Sequence, residues 1–596
     1  MKDFWIRFSF LLDANDHKNF LKFLGLLFCG GLLSLLGIGV IIPFINILID
    51  PNYLSNTAFI KAVNLGHKEI LGLTIIFLIL SFWLKNITAF LVLKKQVSFL
   101  GGLVAKIQKK LFHSYLHFPY SYHIKCSSPE LINNINVEIF ILSNTIAQFG
   151  TLLNEGVTSC IIILALLIIN PVFSLIVVAA IFITAFFFIK KIRHKINYFG
   201  NIRSQSHIQL TQSVIQGLGG IKETKIYQKE YFFIAKVSNY ADNIAEADGF
   251  ASVFQQCPRF LVESILVSVV LSLMLLFIYT GYTSSQMLVL ISIFGIAAIQ
   301  LLPSVNRLLQ SLAHIKYGYP SLNKIYLELN KYELFKQSSP MLALENPLQF
   351  PVILSKAIHL KNISFSYEDK VILKNINLTI PKNKKIALIG TSGAGKTTLL
   401  NIVLGILSPS SGQLYVDETE ITATNLPMWF KHFGYIPEMI YIYETTIREN
   451  IAFGVDPSHI DEEKVWHCLE MASLSTFVKE KCKAGLNTSL GENGINLSGG
   501  QRQRIGIARA LYHDPSILVM DEATASLDHQ TELAITQALD KASQGRTIIT
   551  IAHRLSTIKD YDMIHLIEKG EIICSGRFDD LSQQSKAFQH LAGIRV

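Results

Sequence analysis

The sequence predicts a membrane protein in two parts, a six-helix all-α transmembrane domain followed by an α/β domain. Of its 596 residues, 50% are hydrophobic and only 16% are charged, against roughly 25% charged in a typical soluble chain. The apolar residues are concentrated before residue 310, whereas the glycine-rich motifs and most acidic residues follow residue 350. We therefore predict a first domain at 1–331, a proline-containing linker at 332–352 and a second domain at 353–596.

Six apolar runs are long enough to cross a bilayer, which requires about 20 residues in a helix. They cover residues 21–49, 70–93, 149–169, 172–190, 259–280 and 286–306. The sequence IINPVF at 168–173 leaves almost no loop between the third and fourth runs. These two runs should therefore form a tight helical hairpin.

Basic residues predict how these helices are oriented, because positively charged loops stay in the cytoplasm. The segments after the second and fourth runs are basic and keep a helical periodicity, so we expect helices that continue out of the membrane. Their basic residues include Lys94, Lys95, Lys106, Lys109, Lys110, Lys190, Lys191, Arg193, Lys195 and Arg203. This orientation places both termini and the second domain in the cytoplasm. It also accounts for the net charge of +9 without a nucleic-acid partner.

The seven cysteines form no CxxC pair. A disulfide framework or a zinc site is therefore not predicted. We expect buried free thiols in a protein that faces a reducing cytoplasm.

In the second domain, short β-branched runs alternate with helical stretches, which predicts an α/β fold with a largely parallel sheet. The segment KKIALIGTSGAGKTTLLNIVLGIL predicts a strand, a phosphate-binding GxxxxGKT loop and a helix. Lys396 would reach the β- and γ-phosphates, and the Thr397 hydroxyl would bind Mg²⁺. The predicted ATP-binding residues of this segment are Gly390, Thr391, Ser392, Gly393, Ala394, Gly395, Lys396, Thr397 and Thr398. A chance glycine-rich turn is the alternative, and the flanking strand and helix count against it.

Two carboxylates follow a second buried strand, ILVMD. Asp521 ends the strand and is expected to hold Mg²⁺ through water. Glu522 follows at once and is placed to activate the water that attacks the γ-phosphate. The alternative for Glu522 is a surface acid at the end of a strand.

The segment LSGGQRQRIGIARAL at 497–511 resembles the signature sequence of ATP-binding-cassette (ABC) proteins. The resemblance covers the whole chain, since six membrane helices fused to one following cassette match the type IV exporter layout. It implies an α/β P-loop ATP-binding cassette, ATP and Mg²⁺ as cofactors, and ATP hydrolysis coupled to transport. It also implies that Tyr367 stacks on adenine and that His553, in IAHRLS, is a catalytic switch residue at the γ-phosphate.

In this family ATP lies between the phosphate-binding loop of one cassette and the signature of another. Ser498, Gly499, Gly500 and Gln501 would therefore meet ATP across an interface, at a helix N-terminus that favours anions. Since one chain carries one cassette with both half-sites, the resemblance implies a homodimer.

One position departs from the family pattern. In FGYIPEMIYIYETTIRENIAFG, Glu438 stands where the family has a glutamine that binds Mg²⁺. A carboxylate of equal length still coordinates a hard cation. The extra charge near Glu522 would change metal affinity or hydrolysis rate, or the change would simply be tolerated.

Three basic residues lie in or next to the predicted spans, where charges usually face a cavity or a partner. Lys85, Arg259 and Arg307 would suit an anionic lipid headgroup such as a pyrophosphate. For Arg259 the alternative is an ion pair with Glu263, four residues on. For Arg307 it is a side chain that extends to the membrane surface.

The segments PRFLVESILVSVVLSL and LLPSVNRLLQSL resemble bacterial lipid-linked oligosaccharide flippases of the PglK type. This resemblance implies a multi-pass protein of the bacterial inner membrane whose partners are the bilayer and a polyprenyl-pyrophosphate glycan. The glycan would be used for protein glycosylation or O-antigen assembly. An exporter of lipid A, peptide or hydrophobic drug is the alternative within transport. A non-transport ABC protein of translation or DNA repair is a further class, and six spans argue against it.

Overall fold

The computed structural model describes residues 2–26, 28–29, 67–169, 171–279, 284–338, 352–491, 494–521, 529–552 and 555–592. Most of the predicted first span, 21–49, lies outside these residues, and so do Glu522 and His553. The chain divides into two compact units, the first made of Met1–Phe118 and Tyr122–Phe335 and the second of Lys336–Val596 with Pro119–Ser121.

The first unit consists of helices. They are α1 (Lys2–Phe10), α2 (His67–His117), α3 (Tyr120–Lys125), α4 (Ser128–Asn133), α5 (Ile139–Ile169), α6 (Pro171–Gly219), α7 (Ile221–Ile226), α8 (Glu230–Tyr279) and α9 (Ser284–Ser338). A further helical stretch covers 14–26, and a π-helical turn, Asn134–Glu138, joins α4 to α5.

Four of these helices are much longer than a bilayer is thick. α2, α6, α8 and α9 contain 51, 49, 50 and 55 residues, so they are roughly 74–83 Å long, against about 30 Å of hydrocarbon. The helices therefore continue beyond the apolar runs, as the periodicity of the basic segments predicted.

Within the described residues, four helical segments are long and apolar enough to cross a membrane. They are Leu71–His117, Ser128–Ile168, Ser174–Lys191 and Glu230–Ser272. The predicted sixth run, 286–306, lies on α9. Between the third and fourth runs, α5 ends at Ile169 and α6 begins at Pro171, where a missing N–H costs the helix nothing.

Small residues let the helices of this unit cross closely. A Cβ added at Gly318 of α9 would lie 1.8 Å from the Thr145 Oγ1 of α5, so the two backbones meet at a point that admits no side chain. Near the start of the chain, the aromatic rings of Phe4 and Phe8 pack against Phe149 of α5. This contact fixes α1 against the long helices.

The cysteine prediction is partly wrong. All seven thiols are free, but only Cys468 is buried, whereas Cys29 and Cys160 are exposed. Cys160 lies on α5 among apolar residues, so its exposed side chain belongs to a helix face that lipid or another chain can cover.

The second unit contains ten described strands. They are β1 (Ala357–Tyr367), β2 (Lys370–Pro381), β3 (Lys385–Ile389), β4 (Ser411–Val416), β5 (Thr419–Glu420), β6 (Phe433–Ile436), β7 (Ile517–Asp521), β8 (Thr547–Ile551), β9 (Met563–Glu568) and β10 (Glu571–Gly576). An antiparallel sheet has the order β2-β1-β4-β5, and a second sheet has the order β10-β9-β3-β8-β7-β6.

Helices accompany both sheets. They are α10 (Lys396–Leu404), α11 (Leu426–Phe430), α12 (Ile447–Ile451), α13 (Glu462–Met471), α14 (Ser475–Lys481), α15 (Gly499–Leu511), α16 (His529–Ser543), α17 (Phe578–Gln584) and α18 (Lys586–Ala592). In the six-stranded sheet only β10 pairs antiparallel. β8 is buried along its whole length, as is typical of parallel strands covered on both faces. The predicted fold class, a helical transmembrane region followed by an α/β cassette, is confirmed.

The predicted linker begins inside a helix. α9 continues to Ser338, past the predicted start at residue 332, and residues 339–351 lie outside the described part. The prolines that suggested a linker, Pro340, Pro347 and Pro351, all follow the end of the helix. Residues 332–338 contain no proline and can therefore remain helical.

Candidate functional site

The phosphate-binding loop begins at the centre of the six-stranded sheet. β3 lies between β8 and β9 and is buried except at its first residue. The loop 390–395 leaves its carboxyl end, and α10 begins at Lys396. Open α/β sheets bind ligands at this edge, where a helix N-terminus also faces outward.

Two glycines fix the path of this loop. Gly390 has φ of 150°, and a Cβ there would lie 2.1 Å from the Ile567 carbonyl oxygen of β9. Gly395 has φ of 104°, and its Cβ would lie 2.8 Å from a methyl carbon of Leu373 in β2. Any larger residue at either position would push the loop off the sheet, so both glycines are required by geometry.

The Lys396 side chain lies beneath the loop. It is only 5% exposed, and its Nζ donates to the carbonyl oxygens of Gly390 and Thr391 at 2.9 and 3.0 Å. Ala394 is buried and Thr398 is half-buried, whereas Thr391, Ser392, Gly393 and Thr397 are exposed. The loop therefore presents its exposed backbone to the outside and keeps a positive charge directly below it.

Parallel pairing brings the predicted acidic residues to the same edge. Asp521 ends β7 and pairs in register with Ile551 of β8, which also pairs with Leu388 of β3. Asp521 is thus two strands, or about 10 Å, from the start of the loop. Glu522 and His553 follow β7 and β8 directly in the chain, and both lie outside the described residues.

Glu438 comes from the neighbouring strand. It follows β6, which pairs with β7, and its side chain is exposed. Burial, together with the negative charge of Asp521, raises the pKa of Tyr435 in β6 to about 12. The negative charge of Asp521 therefore affects side chains of β6, the strand that precedes Glu438.

The oxygens at this edge fit Mg²⁺, which prefers oxygen ligands and keeps several of its sites for water and substrate phosphates. The protein offers the exposed Thr397 hydroxyl and the carboxylates of Asp521 and Glu438. Among the described residues there is no group of three or more His, Cys, Asp or Glu that could enclose a metal by itself. Such a site suits a cation that arrives with phosphate oxygens.

Tyr367 lies on the hairpin that borders the loop. It ends β1, and its ring meets Phe365 edge-on with centroids 4.8 Å apart. The partner strand β2 carries Leu373, which contacts the Gly395 position. The half-buried ring is therefore presented from a rigid strand end.

The signature residues form the start of α15. Ser498 is the N-cap: its side chain accepts from the Gln501 backbone N–H, and the Gln501 side chain accepts from the Ser498 N–H at 2.8 Å. This capping box satisfies two donors. The backbone N–H groups of Gly499 and Gly500 have no acceptor within the helix, and Ser498 and Gly499 are exposed. The exposed N-terminus of α15 can therefore bind an anion through these N–H groups.

Residues that the sequence analysis missed connect Glu438 to this helix. Arg509 of α15 donates to the carbonyl oxygens of Tyr441 and Asn450 at 2.9 and 2.8 Å, and burial lowers its pKa. Ile440, two residues after Glu438, packs so closely on α15 that a Cβ at Gly506 would lie 2.3 Å from its Cδ1. In the sequence, the only sign of this contact was Gly506, a glycine inside a helical segment.

In the first unit, Arg307 is paired with a buried acid that the sequence analysis also missed. Its Nε and Nη2 donate to the two Glu155 carboxylate oxygens at 2.7 and 3.2 Å. Ser304 donates to the same carboxylate, and Ser159 lies 3.0 Å from Ser304. The Glu155 side chain is 8% exposed and that of Arg307 is 52% exposed.

Lys85 lies within electrostatic range of Arg307, whereas no ion pair joins Arg259 to this cluster among the described residues. Lys85 is half-buried, lies 5.8 Å from the Phe82 ring centroid, and is close enough to Arg307 for the two charges to repel. Arg259 and Glu263 are both exposed, and the described structure shows no ion pair between them. The structure therefore brings together two of the three predicted substrate residues.

Comparison with known families gives two matches. Residues 373–525 match the family described as ABC transporter, and residues 20–300 match the ABC transporter transmembrane region. Together the two stretches include most of the chain.

Similar proteins include a flippase, a heterocyst differentiation ATP-binding protein and a multidrug resistance transporter. The ATP-dependent lipid A-core flippase of Vibrio vulnificus is 30% identical over 515 residues, covering 83% of each chain. The heterocyst differentiation ATP-binding protein HepA of Nostoc is 29% identical over 484 residues, 81% of this chain and 77% of that protein. A multidrug resistance ABC transporter ATP-binding and permease protein of Lactococcus lactis is 40% identical over 227 residues, 38% of each chain.

A solved structure of a bacterial Atm1-family ABC exporter with ATP bound superimposes with a TM-score of 0.79. The alignment covers 97% of this chain and 99% of the other. At 19% identity this likeness shows the fold.

Proposed function

This chain belongs to the ABC transporter family, and from that premise we propose that it flips a lipid-linked oligosaccharide across a bacterial inner membrane. It is an ABC exporter that spans the membrane several times, binds ATP and couples its hydrolysis to transport. The proposed substrate is a polyprenyl-pyrophosphate glycan, which would move from the cytoplasmic to the periplasmic leaflet.

The observation that carries the substrate proposal is the cluster of Lys85, Arg307 and Glu155. The two cations and one carboxylate leave a net charge of +1 on side chains of the first unit, with Lys85 and Glu155 inside predicted membrane spans and Arg307 directly after one. A charge in such a place is expensive unless a partner or substrate uses it. A pyrophosphate would accept hydrogen bonds from both cations, and Arg259 remains a candidate for a further contact.

Lipid A is the second candidate, because the relative that aligns over 83% of each chain is named a lipid A-core flippase. Lipid A also carries phosphate on a lipid.

In the proposed mechanism, the cassette binds ATP through backbone groups first. The N–H groups of loop 390–395 and the α10 N-terminus hold the phosphates, and Lys396 moves its Nζ donors from two backbone carbonyls to phosphate oxygens. Tyr367 stacks on the adenine ring. Mg²⁺, held by Thr397, Asp521 and Glu438, would neutralise charge on the β- and γ-phosphates. Glu522 accepts a proton from the attacking water, and His553 contacts the γ-phosphate.

We propose that two copies of the chain complete each ATP site. The exposed N-terminus of α15, with Ser498, Gly499 and Gly500, would bind the γ-phosphate held by the other copy. Because Ile440 and Arg509 connect α15 to the segment after Glu438, closure of the site would move that segment together with the helix.

The test is ATPase activity in proteoliposomes. We expect a polyprenyl-pyrophosphate glycan to stimulate hydrolysis more than lipid A or a hydrophobic peptide. Lys85→Gln should reduce that stimulation at least about tenfold, by loss of a charge-assisted contact. Lys94→Gln, an exposed lysine on the same helix, is the matched control and should behave as wild type.

Stimulation of hydrolysis by lipid A alone would show that lipid A, the second candidate, is the substrate. Equal stimulation by all three compounds would contradict substrate recognition by the cation cluster. An equal loss of stimulation in Lys85→Gln and Lys94→Gln would contradict it as well.

A further inference from the structure

A group of buried oxygen atoms lies at the π-helical turn Asn134–Glu138, where α4 joins α5. Asn133 Oδ1, Asn134 Oδ1 and Glu138 Oε2 have no hydrogen-bond partner among the described residues, and these residues are 1%, 1% and 0% exposed. All three atoms are acceptors, so none of them can satisfy another. Because buried polar atoms in proteins are nearly always bonded, this group requires a donor or a positive charge.

The π-helical turn brings the three side chains to the same side of the chain. In a regular α-helix, residues five positions apart point about 140° away from each other. This turn instead closes with an i→i+5 hydrogen bond from the Ile139 N–H to the Asn134 carbonyl oxygen. Glu138 therefore lies close to the residues four and five positions before it, and the Asn133 Nδ2 is 3.5 Å from the Glu138 Oε1.

Neighbouring helices hold these groups in place and leave an oxygen of each available. Ser204 of α6 donates its hydroxyl to the Glu138 Oε1, while Oε2 stays unpartnered. The Asn134 Nδ2 donates to the Tyr115 hydroxyl of α2 at 2.9 Å, while Oδ1 stays unpartnered. The oxygens are thus fixed between α2, α6 and the start of α5.

Glu138 forms no ion pair among the described residues, although a buried arginine, Arg203, precedes Ser204. The Arg203 guanidinium instead lies 4.5 Å from the Tyr317 ring centroid of α9. The Tyr317 hydroxyl donates to Asp248 of α8 at 2.5 Å. Arg203 therefore has its opposite charge on α8, and the Glu138 charge remains uncompensated.

His207 is a further titratable group within electrostatic range of these charges. Burial and the positive charge of Arg203 lower its pKa, against the smaller opposite effects of Glu138 and Asp248. His207 is therefore neutral near pH 7. One positive and two negative charges remain, so the net charge of this cluster is −1. A monovalent cation neutralises it, whereas a divalent cation would leave a buried excess charge, which is costly.

We propose that this turn binds an alkali cation, Na⁺ or K⁺, through Glu138 Oε2 and the side-chain oxygens of Asn133 and Asn134. Such hard cations prefer oxygen ligands, and the three atoms supply one charge and two neutral oxygens. The ion connects the start of α5 to α2 and α6. Glu138 precedes the predicted third span, 149–169, by about 16 Å of helix, so the site lies apart from the cluster of Lys85, Arg307 and Glu155. This inference does not depend on the proposed function.

The first experiment compares unfolding temperatures in sodium, potassium and choline chloride at equal ionic strength, with detergent-purified, nucleotide-free, full-length protein. Choline has the same charge as the alkali cations but is too large for a site made of three side-chain oxygens. A ligand that binds only the folded state stabilises it. We expect the alkali salts to raise the unfolding temperature by about 2–4 °C over choline when the ion exceeds its Kd about tenfold. The ion that acts at the lower concentration is the preferred occupant.

Glu138→Gln tests the carboxylate with little change of shape. The glutamine has no charge to neutralise, and its N–H groups can donate to an asparagine oxygen. We expect this variant to fold and to have the same unfolding temperature in all three salts. Glu223→Gln, at an exposed acid of α7, is the matched control and should keep the wild-type difference between alkali and choline salts.

A direct measurement uses Tl⁺, which replaces alkali cations and scatters X-rays anomalously. In crystals of the wild type prepared with Tl⁺ and without Na⁺ or K⁺, we expect an anomalous peak at the turn, and none there in Glu138→Gln. Equal unfolding temperatures of the wild type in the three salts would overturn the proposal. The same alkali effect in wild type and Glu138→Gln would place the ion elsewhere and would also overturn it. Density at the turn without an anomalous signal would show an ordered water and would refute the cation site.

Discussion

Single side chains in this protein are positioned by partners far along the chain, and Arg307 is an example. Its guanidinium meets a carboxylate from a residue 152 positions earlier. The two members of the pair differ in burial, because Glu155 is 8% exposed and Arg307 is 52% exposed. Removal of the partner should therefore cost more stability when the buried acid is left unpaired than when the half-exposed arginine is left unpaired.

We expect Arg307→Gln to destabilise the protein more than Glu155→Gln. Loss of the arginine leaves a buried carboxylate unpaired, which costs on the order of 3 kcal/mol. Loss of the acid leaves a half-exposed arginine, at a cost nearer that of a surface pair, below about 1 kcal/mol. Thermal unfolding of both variants and of the double variant measures this order. A larger loss for Glu155→Gln would contradict it.

His565 gives the cassette a defined sensitivity to acid. It is buried in β9, its Nδ1 lies 2.7 Å from the Ser575 hydroxyl, and burial lowers its pKa to about 4. The unfolded chain takes up the proton at about pH 6.5. The stabilising effect of a neutral His565 is therefore complete above pH 6.5 and is lost as the pH falls from there towards 4, by about 2 kcal/mol at pH 5.

We therefore expect His565→Gln to reduce the fall in unfolding temperature between pH 7.5 and pH 5. The glutamine keeps a hydrogen-bonding group near Ser575 but cannot take up a proton in this range. His513→Gln, at an exposed histidine of the same unit, is the control and should leave the fall unchanged. Parallel pH curves for wild type and His565→Gln would refute this role for His565.

At the scale of elements, the contact between α15 and the segment after β6 connects two parts of the ATP site. Gly506 leaves room for the Ile440 side chain, whose Cδ1 would lie 2.3 Å from an added Cβ. Such a distance cannot be tolerated without movement. The contact therefore fixes the distance between α15 and the loop that carries Glu438.

Gly506→Ala should consequently lower ATPase activity and the unfolding temperature, because overpacking reduces the free energy of unfolding by about 1–3 kcal/mol. Adding Ile440→Ala removes the clashing atoms and should restore most of both losses. Ile440→Ala alone provides the control for the lost side chain. If the double variant is as impaired as Gly506→Ala, the close contact is not the cause.

How far the sequence predicts an element depends on how local its interactions are. The phosphate-binding loop could be placed because the positive φ of Gly390 and Gly395 and the bonds from Lys396 to the Gly390 and Thr391 carbonyl oxygens are local, although the close contacts of the two glycines with β9 and β2 are not. The signature cap was likewise local, since Ser498 and Gln501 bond to each other. Glu155 was missed because only the packing of α5 on α9 shows that its partner is Arg307. Arg509 was missed because its acceptors, Tyr441 in a loop and Asn450 in α12, are about 60 residues or more away along the chain.

At the scale of the whole molecule, each ATP site is proposed to combine the Lys396 side of one copy with the Ser498 side of another. A pair of singly defective chains should then complement. In a mixed dimer of Lys396→Ala and Ser498→Arg chains, both defects fall in one site and the other site is intact. Co-expression should restore about a quarter of the wild-type sites, since about half of the dimers are mixed.

The matched control is a chain that carries both substitutions, co-expressed with wild type. Each site of that mixed dimer contains one defect, so the mixed dimer should be inactive. Mixed dimers purified through two different tags should have about half the wild-type ATPase activity in the first combination, because one of their two sites is intact, and none in the control. Absence of rescue in the first combination, with both chains folded and paired, would exclude a shared site.

The near-equal lengths of α6 and α8, 49 and 50 residues, restrict how this molecule can change size. The two helices pack along each other, so one extra residue in either would turn everything beyond it by about 100° and break the match between their faces. Lengthening by about two turns, seven residues in each helix, would keep the phase and add about 11 Å. The length of this helix pair can therefore change without loss of packing only by matched whole numbers of turns in both helices.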